Sequence, residues 1–245
     1  ADCRLPNSMP FYPIYLDLHG RPCLVVGGGP IATGKVRGLI EAGAQVTVVS
    51  PEAGEAITAW EAEHVVVWQR RPFEAADLDG QFLVYAATDD RDLNARIYRL
   101  AEQAGRVANA VDDLDHCNFI APAIVREGPV QVAVSTAGTS PALAKQIRDR
   151  VRDEVLTPQT GVLAEYLGSW RAEVKAHIDT YERRQSLWEG VLEGCVPALV
   201  ADGDRGAANA AMREFLARAA RPFDAEARCV VRADRPDVCR ACKGV

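Results

Sequence analysis

The chain has 245 residues, 48% of them hydrophobic and 25% charged, a globular balance with enough apolar residues for one large domain or two modest ones. A net charge of −6 with no dominant Lys/Arg block argues against nucleic acid or an anionic membrane surface as a partner. No apolar run approaches the roughly 18–20 residues of a membrane span, no secretory signal is visible, and seven widely spaced cysteines read as reduced thiols of a cytoplasmic protein.

The residues before Met9 are assigned no structural role. "PCLVVGG" predicts a short buried strand over Leu24–Val26, ended by Gly27. Ile31, Val36, Leu39 and Ile40 fall at helical spacing and predict a helix over Ile31–Glu41, stopped by Gly43. "QVTVVSP" is a second strand, "GEAITAWEAE" a second helix and "HVVVWQ" a third strand. Beyond Pro72, "QFLVYAATDD" reads as a strand, "DLNARIYRLAEQAG" as a helix and "RVANAVD" as a fifth strand. This alternation implies βαβ units and a parallel sheet, so residues 1–112 are expected to form an α/β domain of Rossmann-like, doubly wound type. The rhythm then changes. "FIAPAIVREGPVQVAVST" carries a hairpin signal at "REGP", and "SPALAKQIRDRVRDEVL" a strong helix with Ser140 as N-cap and Pro141 in its first turn. Residues 113–155 are read as a small α+β segment and 156–222 as a helical domain anchored by Trp170 and Trp188. No structure is assigned to the tail, 223–245.

"GGGPIA" fits G-x-G-x-x-A as Gly27, Gly29 and Ala32. The first glycine makes the strand-to-helix turn, the second admits a pyrophosphate against the backbone, and the helix N-terminus opened by Pro30 offers N–H groups to the phosphates from Ile31 on. The strand before and the helix after it are the context this motif requires. A phosphate loop of the Walker type is excluded, because Val36 follows Gly34-Lys35 where Ser or Thr is needed. At the end of the second strand an acidic residue normally meets the adenosine ribose; here stand Ser50, Pro51 and Glu52. Ser50 does not exclude a 2′-phosphate electrostatically, but no arginine follows immediately to hold one, so NAD is the expected cofactor and NADP stays open.

The stretch "NAVDDLDHCNFIAPAIVREGPVQVAVSTAGTSPALAKQIRDRV", Asn109 to Val151, together with "FYPIYLDLHGRPCLVVGGGPIATGK" and "VYAATDDRDLNARI", resembles the precorrin-2 dehydrogenase family, which includes the dehydrogenase/chelatase modules of sirohaem synthases. The similarity spans about residues 10–190. The resemblance implies NAD-dependent oxidation of precorrin-2 to sirohydrochlorin, in some members insertion of ferrous iron (Fe2+, with Co2+ as an alternative metal) into the product, and a homodimer. It makes 113–155 the dimerisation segment and gives the helical domain a share in the cleft. No methyltransferase segment is recognised, so precorrin-2 is expected from a separate enzyme.

Asp112 matches the family's important aspartate. A carboxylate at the C-terminal end of a sheet strand lies where ligands bind in open α/β folds, and an ionised carboxylate can accept the proton that oxidation of the macrocycle releases. Asp113 and Asp115 compete for this role, and a turn-capping function for Asp112 is the plain alternative. "ATDD" is expected to set Thr88 and Asp89 beside the cofactor. Asn118 belongs to the family pattern, while Thr136, Gly138, Thr139 and Ser140 offer hydroxyls and N–H groups for the substrate's carboxylates, with ordinary helix capping as the competing reading. Arg126, Lys145 and Arg148 are guesses for further carboxylate holders. His116, His19, His64 and His177 are read as packing or surface residues, no metal-ligand set is assigned, and Cys229, Cys239 and Cys242 are read as incidental. A non-catalytic tetrapyrrole- or NAD-binding protein is the alternative from a different class.

Overall fold

The structure, a computed structural model, describes residues 11–220. Five short strands, β1 (Pro22–Val26), β2 (Gln45–Val49), β3 (Val66–Gln69), β4 (Leu83–Ala86) and β5 (Val107–Ala110), form one parallel sheet in the order β3-β2-β1-β4-β5. Helices α1 (Pro30–Glu41) and α2 (Glu55–Ala62) connect the first three strands, and α3 (Arg91–Gln103) connects β4 to β5. The strands are buried on both faces, so their side chains alternate between two cores rather than between core and water. Cys23 and Val25 of β1 and Leu83 and Tyr85 of β4 pack with Val36 and Leu39 of α1 and Ile57 of α2. Leu24, Val26, Val84 and Ala86 point the other way, onto Ile97, Tyr98 and Ala101 of α3. The order of strands reverses between β1 and β4, and a crevice at the carboxyl ends of the strands opens at such a switch point.

The chain divides into two compact units, one holding the residues through Pro122 with Ser135–Pro141, the other Ala123–Val134 and the residues from Ala142. The sheet unit runs past residue 112 for a structural reason. Residues 117–119 turn back antiparallel along β5, with a bridge between Asn109 and Cys117.

The second unit contains the expected hairpin, β6 (Ala123–Glu127) against β7 (Val130–Val134). Most of α4 (Pro141–Glu154) also belongs to it, with α5 (Pro158–His177), α6 (Tyr181–Glu193), α7 (Val196–Ala201) and α8 (Arg205–Ala219). Trp170, Val174, Ile178, Val191, Val196 and Met212 form its helical core, with Trp188 packed partly buried against it. Gly161 lets α5 approach the hairpin: a Cβ there would lie 3.0 Å from the Glu127 carbonyl oxygen. Among the described residues no helix is long and apolar enough to cross a membrane. The assignments made for the tail, including Cys229, Cys239 and Cys242, fall outside the described residues.

Candidate active site

The three glycines after β1 do different work. Gly27 has φ 120°, and a Cβ on it would lie 2.3 Å from the Ala87 carbonyl oxygen beyond β4. A Cβ on Gly28 would lie 2.0 Å from the Glu52 carbonyl oxygen, and Gly54 N–H donates to the Gly28 carbonyl at 3.0 Å. The ends of β1, β2 and β4 are therefore pressed together with room for backbone only. Gly29 is the contrary case, with no atom within 4 Å of its missing Cβ. It is the N-cap of α1, makes no side-chain cap, and is followed by Pro30. An open cradle bordered by first-turn N–H groups and the positive end of a helix fits a pyrophosphate. Ile31, 53% exposed, lies at its rim.

At the ribose corner Ser50 is buried and donates its hydroxyl proton to the Glu52 carbonyl at 2.6 Å, so its oxygen is left as an acceptor. Pro51 and Glu52 are exposed beside it. Thr88 is held from within. Its N–H and hydroxyl both reach Asn94 Oδ1, at 3.1 and 2.7 Å, and Asn94 Nδ2 returns a bond to the Thr88 carbonyl at 2.9 Å. Asn94 is 5% exposed and was not singled out in the sequence, where it looks like an ordinary helix residue. It fixes the loop whose Ala87 oxygen backs the first glycine, and leaves Asp89 exposed at the surface.

Asp112 follows β5 with φ 61°, a left-handed conformation that aspartate tolerates better than most residues. Its exposed carboxylate makes no hydrogen bond or ion pair among the described residues, which is also true of Asp115, but Asp112 stands nearer the carboxyl end of β5. Asp113 is occupied, accepting from Asp115 N–H at 3.2 Å and pairing with His116 Nδ1 at 2.7 Å, while His116 meets the edge of Tyr98. The family-like residues that follow are clamps. Cys117 donates to the carbonyls of Ala110 and Asp113, Asn118 accepts from Ala108 N–H at 2.7 Å and donates to the Arg106 carbonyl at 3.0 Å, and Phe119 packs edge-on against Tyr85. Both ends of the Asn118 amide thus serve the free edge of β5. Burial pushes the Cys117 thiol up to about 11, against the help of its bond to Ala110, so it stays protonated at neutral pH.

Lys35 is a residue the sequence left without a role. Its ammonium lies 5.1 Å from the Tyr85 ring centroid and makes no hydrogen bond or ion pair among the described residues. Burial pulls it below the usual lysine range, opposed by the charge of Asp112 and by Cys117. A lysine and an aspartate that sense each other here give the crevice one charge of each sign.

The "TAGTSP" loop closes on itself. Thr136 Oγ1 accepts from Ser140 N–H at 3.1 Å and donates to its carbonyl at 3.0 Å, and the Thr139 hydroxyl donates to the Thr136 carbonyl at 2.6 Å. Gly138, at φ 81°, abuts Leu114: a Cβ would lie 2.5 Å from Leu114 Cδ1. The loop is thereby held against the segment that carries Asp112. Of the guessed carboxylate holders, Arg148 is paired with Asp149 at 2.6 Å, and Lys145 and Arg126 are exposed. His177 is exposed and bonds the Glu173 carbonyl within α5, as a surface histidine does. Among the described residues no group of three or more His, Cys, Asp and Glu side chains could hold a metal ion.

A doubly wound sheet with an open glycine turn at its switch point defines a dinucleotide-binding protein. Family comparisons place residues 14–123 in an NAD(P)-binding family, 127–154 in the sirohaem biosynthesis protein central family, and 159–216 in the sirohaem synthase dimerisation region. The chain belongs to the family that unites precorrin-2 dehydrogenases with the matching modules of sirohaem synthases. It is 40% identical over 192 residues to the siroheme synthase of Neisseria meningitidis serogroup C, covering 78% of this chain and 40% of that protein. It is 41% identical over 208 residues to the siroheme synthase of Thioalkalivibrio sulfidiphilus, covering 85% and 42%. The chain thus spans about two fifths of the length of these relatives. The solved structure of SirC, a precorrin-2 dehydrogenase, matches with TM-score 0.67 and 27% identity over 85% of this chain and 98% of that one.

Proposed function

We propose that this protein oxidises precorrin-2 to sirohydrochlorin with NAD, as a homodimer in the cytoplasm. The observation that carries the reading is the pairing, in one unit, of an open pyrophosphate cradle at Gly29 with a free carboxylate at Asp112. The likeness to SirC over nearly the whole of that chain supports the substrate.

The oxidation removes a hydride and a proton from the macrocycle, and a bound nicotinamide supplies the hydride acceptor. Gly27, Gly29, Pro30 and Ile31 hold the pyrophosphate, Ser50, Pro51 and Glu52 border the ribose, and Thr88 and Asp89 shape the wall after β4. Asp112 takes the proton. Its carboxylate has no competing partner among the described residues, Asp113 is committed to His116, and Asp115, equally free, lies further along the chain from the end of β5. Thr136, Gly138, Thr139 and Ser140 form the loop that meets the substrate's carboxylates, with Gly138 offering its backbone N–H, because the Thr139 and Ser140 N–H groups and the Thr136 and Thr139 hydroxyls are spent within the loop. Asn118 supports the site by fixing the end of β5. The site lies in the sheet unit, which runs past 112 to Pro122, and the dimer is formed by the second unit, which holds the match to a dimerisation region. Ferrous iron or cobalt enters, if at all, as a second substrate at the pyrrole nitrogens, with Asp112 removing the displaced protons.

The test follows NADH absorbance and the pigment spectrum with precorrin-2 and NAD+. The informative variant is Asp112→Asn, since asparagine also tolerates φ 61° and leaves the backbone undisturbed. Turnover is expected to fall by about 10²-fold or more with NAD+ affinity unchanged. An undiminished rate would move the role to another group, and no turnover by the wild-type chain would leave a tetrapyrrole- or nucleotide-binding protein. Adding Fe2+ to sirohydrochlorin with and without protein reads chelation separately.

A further inference from the structure

The sequence shows no arginine directly after Ser50, yet the fold brings two beside it. The Ser50 N–H donates to the Gln69 carbonyl at 3.2 Å, and Trp68 Nε1 donates to the Ser50 carbonyl at 2.9 Å. The corner that borders the ribose is therefore stitched to the end of β3, where Arg70 and Arg71 follow. Neither cation is free. The Arg70 guanidinium lies 4.0 Å over the Trp68 ring and donates to both Glu61 oxygens, at 2.9 and 2.6 Å. Arg71 donates to Asp77 Oδ2 at 2.9 Å and to the Pro72 carbonyl at 3.0 Å, and its other amino group meets Asp77 Oδ1 and Gln69 Oε1. The Ser50 hydroxyl has already given its proton to Glu52.

We propose that Glu61 and Asp77 determine nucleotide choice, by occupying the two arginines that would otherwise receive a 2′-phosphate. This rests on the dinucleotide reading of the site. A ribose 2′-hydroxyl can donate to the Ser50 oxygen. A 2′-phosphate meets no hydroxyl proton, two neutralised arginines and the exposed carboxylate of Glu52. The two pairs differ in how firmly they hold. Asp77 is 6% exposed and also accepts from Glu74 N–H at 2.8 Å, so Arg71 is part of the loop's framework. Arg70 and Glu61 are 55% and 26% exposed, and such a surface pair contributes little to stability. Removing Glu61 thus releases a cation without endangering the fold, and that cation is already aligned by the Trp68 ring.

The experiment titrates the full chain with NAD+ and with NADP+ by calorimetry, without tetrapyrrole. The wild-type chain is expected to bind NAD+ at least about tenfold more tightly than NADP+, the value of one charge-assisted contact. In Glu61→Gln the NADP+ Kd is expected to fall about five- to tenfold while that of NAD+ moves less than about twofold. The double variant Glu61→Gln/Arg70→Gln should lose the gain, and added salt should shrink it. If the wild-type chain binds neither nucleotide, the dinucleotide reading itself fails. If it binds NAD+ but Glu61→Gln leaves NADP+ unchanged, or if it binds both equally, this inference is overturned and the dinucleotide reading stands.

Discussion

At the scale of single residues, the glycine turn separates packing from ligand approach. Gly28 has backbone at 2.0 Å from its missing Cβ, so Gly28→Ala forces the β2–α2 turn away, at a cost of about 1–3 kcal/mol for overpacking. Gly29 has open space at the same position, with φ −76°, so an alanine there strains nothing in the free protein. Gly29→Ala is expected to keep its thermal midpoint within about 2 °C of wild type, yet to weaken NAD+ binding about tenfold or more by filling the cradle. A melt and a titration on each variant check this, and equal melting losses would contradict it. Lys35 gives the pH counterpart. Its folded pKa lies below its unfolded value because burial disfavours the ammonium. Below the folded pKa both states are protonated and the folded state bears the full desolvation cost. Between the folded and unfolded values the folded state has shed its proton, and the cost is relieved. Lys35→Met should therefore raise the thermal midpoint at pH 7, by an amount that shrinks as pH approaches the unfolded lysine range.

Elements were legible where the signal is local. β1 to β5 announce themselves as short apolar runs and α1 and α3 by spacing, and all formed where expected. The contacts that hold the site were not legible, because they depend on neighbours chosen by the sheet. Asn94 reveals nothing until α3 is laid against the end of β4. The motif around Cys117, Asn118 and Phe119 reads as chemistry in the sequence, but pairing with β5 turns its side chains into clamps for the Asp112 loop. Asn94→Ala tests this view of the loops. It leaves the Thr88 N–H and hydroxyl without their shared acceptor, at a cost of about 1–3 kcal/mol. The urea midpoint should drop with the slope unchanged, as for lost stability without a change in the surface exposed. Binding of NAD+ should weaken less than in Gly29→Ala, since the cradle itself keeps its shape. An unchanged midpoint would mean that Thr88 is held by something else.

For the whole molecule, the sequence marked the change of rhythm after Asp112 but not the interleaving of the two units, in which Ser135–Pro141 rejoins the first after the hairpin has left it. Periodicity reports which residues face a core, and is silent on which core. The second unit shows the same limit on its outer side. Along α4 and the turn that ends it, Ile147 and Val155 are 39% and 60% exposed, with Val151 between them at the helical repeat, while Arg150 and Glu154 flank the stripe. The segment with α5 to α8 matches a dimerisation region, and α4 ends five residues before that match begins. A second copy of the chain is the occupant these facts favour for the stripe. Covering it would remove apolar surface that a single chain leaves in water, and would leave the flanking charges at the rim. The wild-type chain is therefore expected to sediment at twice its chain mass at low micromolar concentration. Ile147→Glu places a charge in the middle of the stripe, where a partner would have to desolvate it, and should shift the protein to monomer with its far-ultraviolet circular dichroism unchanged. A monomeric wild-type chain would remove the dimer from the proposed function. A dimeric Ile147→Glu would place the interface on another face of the same unit.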